Sequence, residues 1–583
     1  MFSVYIIPVV LRVNGRAILL RSMDIVAQTL LTGIHRLGQL RLNHTGVGVA
    51  KVINPRGACS LVLPFILFAT VVISAETNSS NDDAALAIGT IEVIANEVFD
   101  GTADEQSFLY RVANRIHAGT REHVIRRELL FESGDPFNRE LIEQTERNLR
   151  SLRFLRNARV VATPIDDNGD GQAERVDVRV ETWDTWSLEP VIHFRQIDNH
   201  SIWKFGVMNR SVLGFGKELT VSRRRNLDRT IDRALYHDPQ LLGSRFVLTA
   251  SAASLSDGAE GSLVIGRPYV SLADPWSVSL RANTFNRMDS LFDNGRQVAV
   301  LPHHSQSSDF EFGRAVQRRA TSAFRMHVAY RSRLDRVGTD VRDFGIVEVG
   351  FQSLQHRFTQ LTHVNRFEQP EDFNLGAQSW GRIGLSTTAF GGEEGRAIFA
   401  SAGHTRGFNF GPGHFLMLGG SVGGRHQWGR WSNGLAHLRL RYLQKQSTRT
   451  AFVGKVEIYR GHNLDDEVQI LLGAATGLRG YPVRQFAGTR SLLLSAEERW
   501  FIADDVLQLV SLGLAAFIDS GFAWSDQESV DLSDLKTAVG GSLLVGSNRL
   551  SSSGSARFDV GYAVNKMTAV GHWVFFAGSD IEF

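Results

Sequence analysis

The stretch Gly477-Leu478-Arg479-Gly480-Tyr481 precedes two segments that alternate in polarity, Ser491 to Phe501 and Leu507 to Trp524. Alternation at period two is typical of a β-strand whose two faces meet different surroundings. One face of the second segment is apolar and carries Val510, Leu512, Leu514, Ala516, Ile518 and Phe522. The opposite face carries Ser511, Gly513, Ala515, Phe517, Asp519 and Gly521. Because Glu497 falls on the polar face of the first segment, we predict that Glu497 and Asp519 point into an interior, with Arg479 as their cation.

Three sequence words follow one another here: Leu-Arg-Gly-Tyr at 478–481, Ser-Ala-Glu-Glu-Arg at 495–499 and Phe-Ile-Asp-Ser-Gly at 517–521. In this order and spacing they resemble the BamA/TamA-type outer-membrane assembly proteins, the bacterial surface antigen family. The resemblance implies a sixteen-stranded barrel into which an extracellular loop folds back. It implies a loop tip formed by Leu478, Arg479, Gly480 and Tyr481, and lumen partners at Glu497, Phe517, Asp519 and Gly521. The alternative is an ordinary surface turn after a strand.

Length and composition exclude several classes of protein. A chain of 583 residues predicts more than one domain, and 43% hydrophobic with 21% charged residues excludes a disordered chain and a helical transporter. A net charge of +2 indicates neither a nucleic acid nor an acidic partner. The single cysteine, Cys59, excludes a disulfide framework and a cysteine-based zinc site.

Residues 58–75 form an apolar run that ends in the small residues Ser74 and Ala75, with Lys51 and Arg56 before it. This pattern predicts a secretory signal cleaved near Ala75. A membrane anchor is the alternative, since the run reaches the lower limit of about 18 residues for a span. Residues 1–56 are an N-terminal extension that a signal does not need, and a misassigned start codon is one explanation. Residues 76–87 read as a polar linker.

Residues 88–183 predict one small α/β domain of order β-α-α-β-β. Its expected elements are a strand from Ile88 to Phe99, a helix from Thr120 to Phe131, a helix capped by Asn138, and strands at 159–163 and 175–181. The words at 125–129, 134–137 and 150–155 are similar to a POTRA (polypeptide-transport-associated) domain, the periplasmic module of the same family. We find one copy. The acidic turn at 166–171 matches the start of a calcium loop, but strands flank it, so we expect a plain hairpin turn.

Residues 186–583 predict an all-β transmembrane barrel. The region has no apolar run long enough for a helical span, and segments of about ten residues alternate between apolar and polar faces. Phe558 and Val560, for example, oppose Arg557 and Asp559. Strands in lipid must close into a barrel, because an open edge leaves backbone groups unpaired. Sixteen antiparallel strands, the count carried over from the family, leave about 25 residues for each strand and its connection.

The last residues of the chain also alternate, and Trp573, Phe575 and Phe583 share one face. A terminal aromatic on such a strand resembles the sorting signal of bacterial outer-membrane proteins. The expected location is therefore the bacterial outer membrane, with the POTRA domain in the periplasm.

The resemblance implies a function in inserting or translocating client proteins, by β-augmentation at the POTRA domain and strand addition templated by the barrel. Expected partners are the outer-membrane bilayer, unfolded outer-membrane or secreted clients, and periplasmic chaperones or lipoproteins. The alternative is a passive channel or structural barrel. Residues 419–423 fit the G-x-S-x-G pattern of serine hydrolases, which requires a strand-turn-helix context that these flanking glycines do not offer. We therefore expect no enzyme, no cofactor, no metal site and no nucleic-acid partner.

Overall fold

A computed structural model of the chain describes residues 12–13, 16–17, 86–96, 119–168, 173–197, 200–506, 510–526, 528–529, 531–546, 556–565 and 573–578. Arg12–Val13 and Arg16–Ala17 form a minimal strand pair. The expected signal run 58–75, Cys59, most of the polar linker, part of the acidic turn and Phe583 lie outside the described residues.

The first folded part is an α/β unit with the element order β-α-α-β-β, which confirms the expected fold. Its elements are β1 Ala87–Asn96, α1 Glu122–Glu128, α2 Arg139–Ser151, β2 Leu155–Ile165 and β3 Arg175–Asp184. The sheet order is β1-β3-β2, with β1 parallel and β2 antiparallel to β3. The two helices cover one face of this sheet, since buried residues of both helices and of the strands form one core cluster.

Local sequence explains these elements. The Asn138 side chain accepts hydrogen bonds from the backbone N–H groups of Glu140 and Leu141 at 3.0 and 3.3 Å, so it caps α2 as predicted. Val124 and Ile125 are buried in the same cluster as the β3 valines. The prediction that the first helix extends from Thr120 to Phe131 is wrong. The helix ends at Glu128, because the backbone adopts an extended conformation at Leu129 (φ −67°, ψ 137°). This turn lets Leu129 and Phe131 join the core.

The second part is built almost entirely of strands. In chain order these are β4 Leu188–Ile197, β5 His200–Asn209, β6 Glu218–Arg225, β7 Thr230–Asp238, β8 Val247–Leu255, β9 Gly258–Arg267, β10 Trp276–Asp293, β11 Arg296–Arg318, β12 Ser322–Val337, β13 Asp340–Gln355, β14 Phe358–Leu361, β15 Glu371–Asn374, β16 Gln378–Ser386, β17 Ala397–Gly411, β18 His414–Gln427, β19 Arg430–Ser447, β20 Thr450–His462, β21 Ile470–Leu472, β22 Phe486–Gly488, β23 Arg490–Val506, β24 Val510–Trp524, β25 Lys536–Gly546, β26 Ala556–Ala563 and β27 Trp573–Gly578. Short 3-10 helices lie in the connections at Val212–Gly214, Leu241–Gly243, Thr388–Phe390, Ala474–Thr476 and Leu532–Asp534.

Twenty of these strands form one closed antiparallel barrel, in which β27 pairs with β4. The pairs β14–β15 and β21–β22 are separate two-stranded hairpins. The barrel confirms the expected fold class, but the expected count of sixteen strands is wrong for the described chain. Several connections, such as 256–257, 294–295 and 338–339, are only two residues long. The chain therefore forms more strands than an allowance of about 25 residues per strand and connection permits.

The predicted alternation is present in the barrel wall. Along β24 the polar face is buried and the apolar face is exposed, with Ile518 47% exposed beside the fully buried Asp519. An apolar exterior around a polar interior is the pattern of a barrel in lipid. Among the described residues, no helix has the length and hydropathy needed to cross a bilayer.

The α/β unit contacts one end of the barrel, which we call the near end. Gln240, in the connection between β7 and β8, donates hydrogen bonds to the Val124 carbonyl and to Glu128 at 3.0 and 2.6 Å. Asn148 of α2 donates to the Val270 carbonyl at 2.9 Å in the connection between β9 and β10. The connections of the opposite end, the far end, include the long loop 463–489 between β20 and β23.

Candidate functional site

The far-end loop 463–489 carries the Leu-Arg-Gly-Tyr word and folds back against the barrel wall. After the 3-10 helix Ala474–Thr476, Gly477 adopts the left-handed conformation (φ 106°) that favours glycine. The chain then reverses, and both Leu478 and Tyr481 become buried. They pack in one cluster with residues of the loop hairpin and of the wall strands: Leu472, Phe486, Leu493, Ala523, Ala538 and Ala563. The loop tip is thus a packed part of the barrel interior.

Arg479 lies at the centre of this tip and is 1% exposed. Its guanidinium binds Asp519 through two atoms, with Nε to Oδ2 at 2.7 Å and Nη2 to Oδ1 at 2.8 Å. Nη1 donates to Glu497 Oε2 at 2.5 Å. The structure therefore brings together the three charged residues singled out in the sequence. A two-atom guanidinium–carboxylate pair is both strong and specific in geometry, so it fixes the direction of the loop tip.

Two more arginines complete the network around Glu497. Arg499 Nε donates to Oε1 at 2.6 Å, and Arg557 donates to both carboxylate oxygens at 2.8 and 2.9 Å. Arg557 also contacts Asp559 at 3.1 Å. The network thus contains three guanidinium groups and three carboxylates, which balances its charge. This balance matters because an unpaired buried charge costs several kcal/mol (roughly 3–5).

Smaller groups shape the site around Arg479. The Phe517 ring lies under the guanidinium, with its centroid 3.5 Å from Cζ, a cation–π arrangement. Gly480 is required by close approach, since a Cβ at this position would lie 2.4 Å from the Ala538 Cβ. Gly521 faces the loop hairpin in the same way, with Leu472 3.1 Å from an added Cβ. Tyr481 donates its hydroxyl to the Thr537 carbonyl at 3.1 Å.

Other residues fasten the loop across the barrel. Arg484 binds Asp228, in the connection between β6 and β7, at 2.6 and 2.5 Å. Asp465 accepts from Arg342 of β13 at 2.5 Å and from Arg425 of β18 at 3.1 Å. The β6–β7 connection, β13 and β18 lie far apart in the closed sheet order. The loop therefore extends across the lumen from wall to wall at the far end.

The other sequence candidates take different places. Trp573 and Phe575 of β27 are exposed on the outer face at 56% and 58%, while Phe583 lies outside the described residues. Ser421 of the G-x-S-x-G match lies inside β18, which is a strand and not a strand-turn-helix elbow. Among the described residues, Glu311, His327 and Glu348 lie close enough to hold a metal ion. Arg331 already binds both carboxylates, at 3.0 and 2.8 Å, and supplies their positive charge.

The sequence reasoning did not single out Arg499, Arg557 or Asp559 as partners of the site. Alternation alone placed each of them on a polar face, but it does not say which polar faces meet. The strand pairs β23–β24, β24–β25 and β25–β26 place four strands side by side, so that Arg499 of β23 and Arg557 and Asp559 of β26 meet at one point. Nothing in the sequence indicated that the connection between β13 and β16 also folds toward this network.

Comparison with known proteins identifies the α/β unit. Residues 117–182 match the POTRA family model, described as surface antigen variable number repeat. No curated protein sequence matches the chain. Among solved structures, BamA from Haemophilus ducreyi lacking POTRA domains 1–3 is 11% identical with a TM-score of 0.39, covering 93% of this chain and 96% of that one.

Two further structures are similar at the same level. CdiB from Acinetobacter baumannii is 10% identical with a TM-score of 0.44, covering 98% of this chain and 88% of that one. CdiB from Escherichia coli is 12% identical with a TM-score of 0.44, covering 96% and 98%. At these scores the likeness adds nothing to the assignment, which depends on the POTRA match and on the barrel itself.

A POTRA domain joined to a closed antiparallel barrel defines an outer-membrane β-barrel protein. This architecture, with one POTRA domain among the described residues and a closed antiparallel barrel after it, agrees with the resemblance to the BamA/TamA type that the three sequence words carry.

Proposed function

We propose that this protein inserts or translocates client proteins at the bacterial outer membrane, with its POTRA domain in the periplasm. The observation that carries the proposal is the joint presence of a POTRA domain on the near end and of the buried Arg479 loop tip inside the barrel. The POTRA domain offers a surface for an extended client, and the barrel offers a route into or across the bilayer.

The first step of the mechanism is strand pairing at the POTRA sheet. Since the order is β1-β3-β2, strands β1 and β2 are its two edges. Ile88 of β1 is already hydrogen-bonded to Gly134 and Asp135, so β2 is the edge that we propose a client joins. An edge strand presents unpaired backbone groups to which an extended peptide can add by β-augmentation. The proposed clients are unfolded outer-membrane or secreted chains. Periplasmic chaperones or lipoproteins are expected to bring these clients to the POTRA domain.

The second step is strand addition at the closure of the barrel. Strand β27 has six residues and closes the barrel against β4, which has ten. These are the first and last strands of the barrel, and no chain connection joins them, so we propose that the wall parts at this pairing. A client strand that replaces it is templated directly into the bilayer.

A passive channel is disfavoured by the interior of the barrel. The far-end loop extends across the lumen, and it is held at separate places around the barrel by Asp228 in the β6–β7 connection, Arg342 of β13 and Arg425 of β18. We propose no catalytic activity, because the one hydrolase-like serine lies within a regular strand.

Depletion of the protein in its bacterium tests the proposal. The outer-membrane protein profile should lose specific barrel or surface proteins while this chain itself fractionates with the outer membrane, starting near Glu76. An unchanged profile of both outer-membrane and secreted proteins would contradict the proposal and favour a structural barrel. Purified protein in liposomes, offered an unfolded barrel client, separates insertion from secretion by whether the client becomes heat-modifiable on gels.

A further inference from the structure

The connection between β13 and β16, residues 356–377, forms a second inward segment, which we call the near-end hairpin. It contains β14 and β15 and enters the barrel from the end that the POTRA domain contacts. Val364 is fully buried and Phe367 is 3% exposed. The Phe367 ring packs perpendicular to that of Phe501 on β23, with centroids 5.1 Å apart. The tip of the hairpin therefore lies inside the lumen against the wall.

The tip is internally braced. Glu371 accepts hydrogen bonds from the backbone N–H groups of Val364, Asn365 and Arg366 at 3.2, 2.8 and 3.1 Å. It also accepts from the Asn365 side chain at 2.7 Å. One carboxylate that collects four donors holds the tip in a single shape, so the hairpin can move as a unit without unfolding.

The tip connects directly to the network around Arg479. Arg499 donates from Nη1 to the Val364 carbonyl at 2.7 Å and from Nε to Glu497 at 2.6 Å. Glu497 in turn accepts from Arg479 of the far-end loop. Two segments that enter the barrel from opposite ends are thus joined through one guanidinium and one carboxylate.

The stem of the hairpin is fastened to the POTRA domain. Arg150 of α2 donates to both carboxylate oxygens of Asp372 at 3.2 and 3.0 Å. Arg147, one turn earlier, lies over the Phe358 ring at 4.7 Å. The side chains of Arg150 and Asp372 are 12% and 22% exposed, so the pair is partly shielded from water. A charged contact of this kind is stronger than a surface pair and is still reversible.

From these contacts we infer that the near-end hairpin is a plug that the POTRA domain holds in place. Movement of α2 away from the near end breaks the Arg150–Asp372 contact and releases the stem. The tip is then held by its contacts with the wall alone, such as that of His363 with Asp504 at 3.1 Å, and can withdraw. The near end then opens, and Arg499 loses its carbonyl partner, which loosens the hold of Glu497 on the far-end loop. Displacement of the POTRA domain is in this way transmitted to both ends of the lumen, whichever client displaces it.

Thiol accessibility measures withdrawal of the plug directly. In a Cys59→Ser background, Val364→Cys places a single thiol at a buried position. In the purified full chain in micelles it should react slowly with a maleimide. Adding Asp372→Arg, which opposes Arg150 with a like charge, should raise the rate by on the order of tenfold or more, the effect of losing one charge-assisted bond.

The matched control is Arg139→Ala, which removes an arginine from the same helix. Arg139 is 86% exposed and pairs only with Glu143 within α2 among its described contacts, so the labelling rate should stay unchanged. Equal rates for Asp372→Arg and Arg139→Ala would overturn the inference, as would fast labelling of Val364→Cys alone. Should Asp372→Arg fail to fold, Phe358→Ala removes the second stem contact and must raise the rate.

Conductance of the purified protein in planar bilayers gives a second readout. Asp372→Arg should open the barrel more often than the parent chain, and Arg139→Ala should not. A closed barrel in both variants despite fast labelling would contradict the plug. Neither measurement uses a client, so failure of the proposed insertion activity and failure of this inference are separable.

Discussion

Replacement of Arg479 by alanine is the sharpest test of the interior network. The substitution removes the guanidinium bonds to Asp519 and Glu497. It leaves the fully buried Asp519 with the Ser495 hydroxyl at 2.6 Å and the backbone N–H of residue 479 at 3.3 Å as its hydrogen bonds among those described. Glu497 keeps Arg499 and Arg557, so the uncompensated charge is that of Asp519. Removing one partner of a buried pair lowers the free energy of unfolding by about 3–5 kcal/mol.

A second arginine in the same lumen serves as a control for the effect of solvent exposure on stability. Arg439 of β19 binds Glu457 at 2.6 Å, but its side chain is 55% exposed. Arg439→Ala should therefore cost only about 0–1 kcal/mol, the usual contribution of a solvated pair. The comparison keeps the residue type and the barrel constant. It changes the exposure of the arginine and the cations left behind, since Glu457 keeps Lys455 at 2.9 Å.

The assay is urea unfolding of the purified barrel in micelles, followed by tryptophan fluorescence and by heat-modifiable gel mobility. Asp519→Ala should be about as harmful as Arg479→Ala, and the double variant should fall short of the sum by about 1–3 kcal/mol, because the two residues share one interaction. Equal midpoints for Arg479→Ala and Arg439→Ala, or strictly additive single effects, would refute the reasoning.

Three further outcomes are expected. Gly480→Ala should lower the free energy of unfolding by about 1–3 kcal/mol, because the added Cβ would overlap that of Ala538. Gly420→Ala is the control, since its added Cβ would have no neighbour closer than 3.6 Å, and its urea midpoint should stay unchanged. Burial raises the pKa of the Glu128 carboxyl, although a hydrogen bond from Gln240 opposes the shift. The docked domain therefore favours the protonated carboxyl, and docking should weaken as the pH rises from about 4 through the raised pKa. Glu128→Gln should abolish this pH dependence in protease-protection assays. Hydrogen bonds from Arg484 lower the pKa of Asp228, so this loop anchor should persist at neutral pH and be lost only as the pH falls below about 4; Asp228→Asn should make the loop protease-sensitive at every pH.

Alternation in the sequence was sufficient to place Glu497 and Asp519 on the inner wall, because the side-chain period of a strand leaves only two choices. It was also sufficient for the fold class, since charged inner faces and apolar outer faces are incompatible with a water-soluble sandwich. It was not sufficient for the strand count. Two polar residues in sequence can either form a turn or continue a strand. Which of these occurs depends on how the flanking segments pair with neighbouring strands in the closed sheet, and that pairing is not visible in the sequence.

The near-end hairpin was missed for a related reason. Its strands β14 and β15 have four residues each and carry no alternation that separates them from the wall strands. Its inward position follows from contacts between residues more than a hundred positions apart, such as Arg499 and Val364. A single sequence contains no local pattern for such a contact.

The strand count and the two inward segments are connected by geometry. The diameter of a barrel grows roughly in proportion to its number of strands, so twenty strands enclose a wider lumen than sixteen. Side chains from the wall cannot fill such a lumen, and one loop tip bound at β23 and β24 leaves the near end open. The near-end hairpin occupies that space, and Arg499 binds it to the same Glu497 that holds Arg479. The single carboxylate of Glu497 is therefore shared by Arg499, which binds the near-end hairpin, and Arg479, which belongs to the far-end loop. A change in either segment alters the stability of the other.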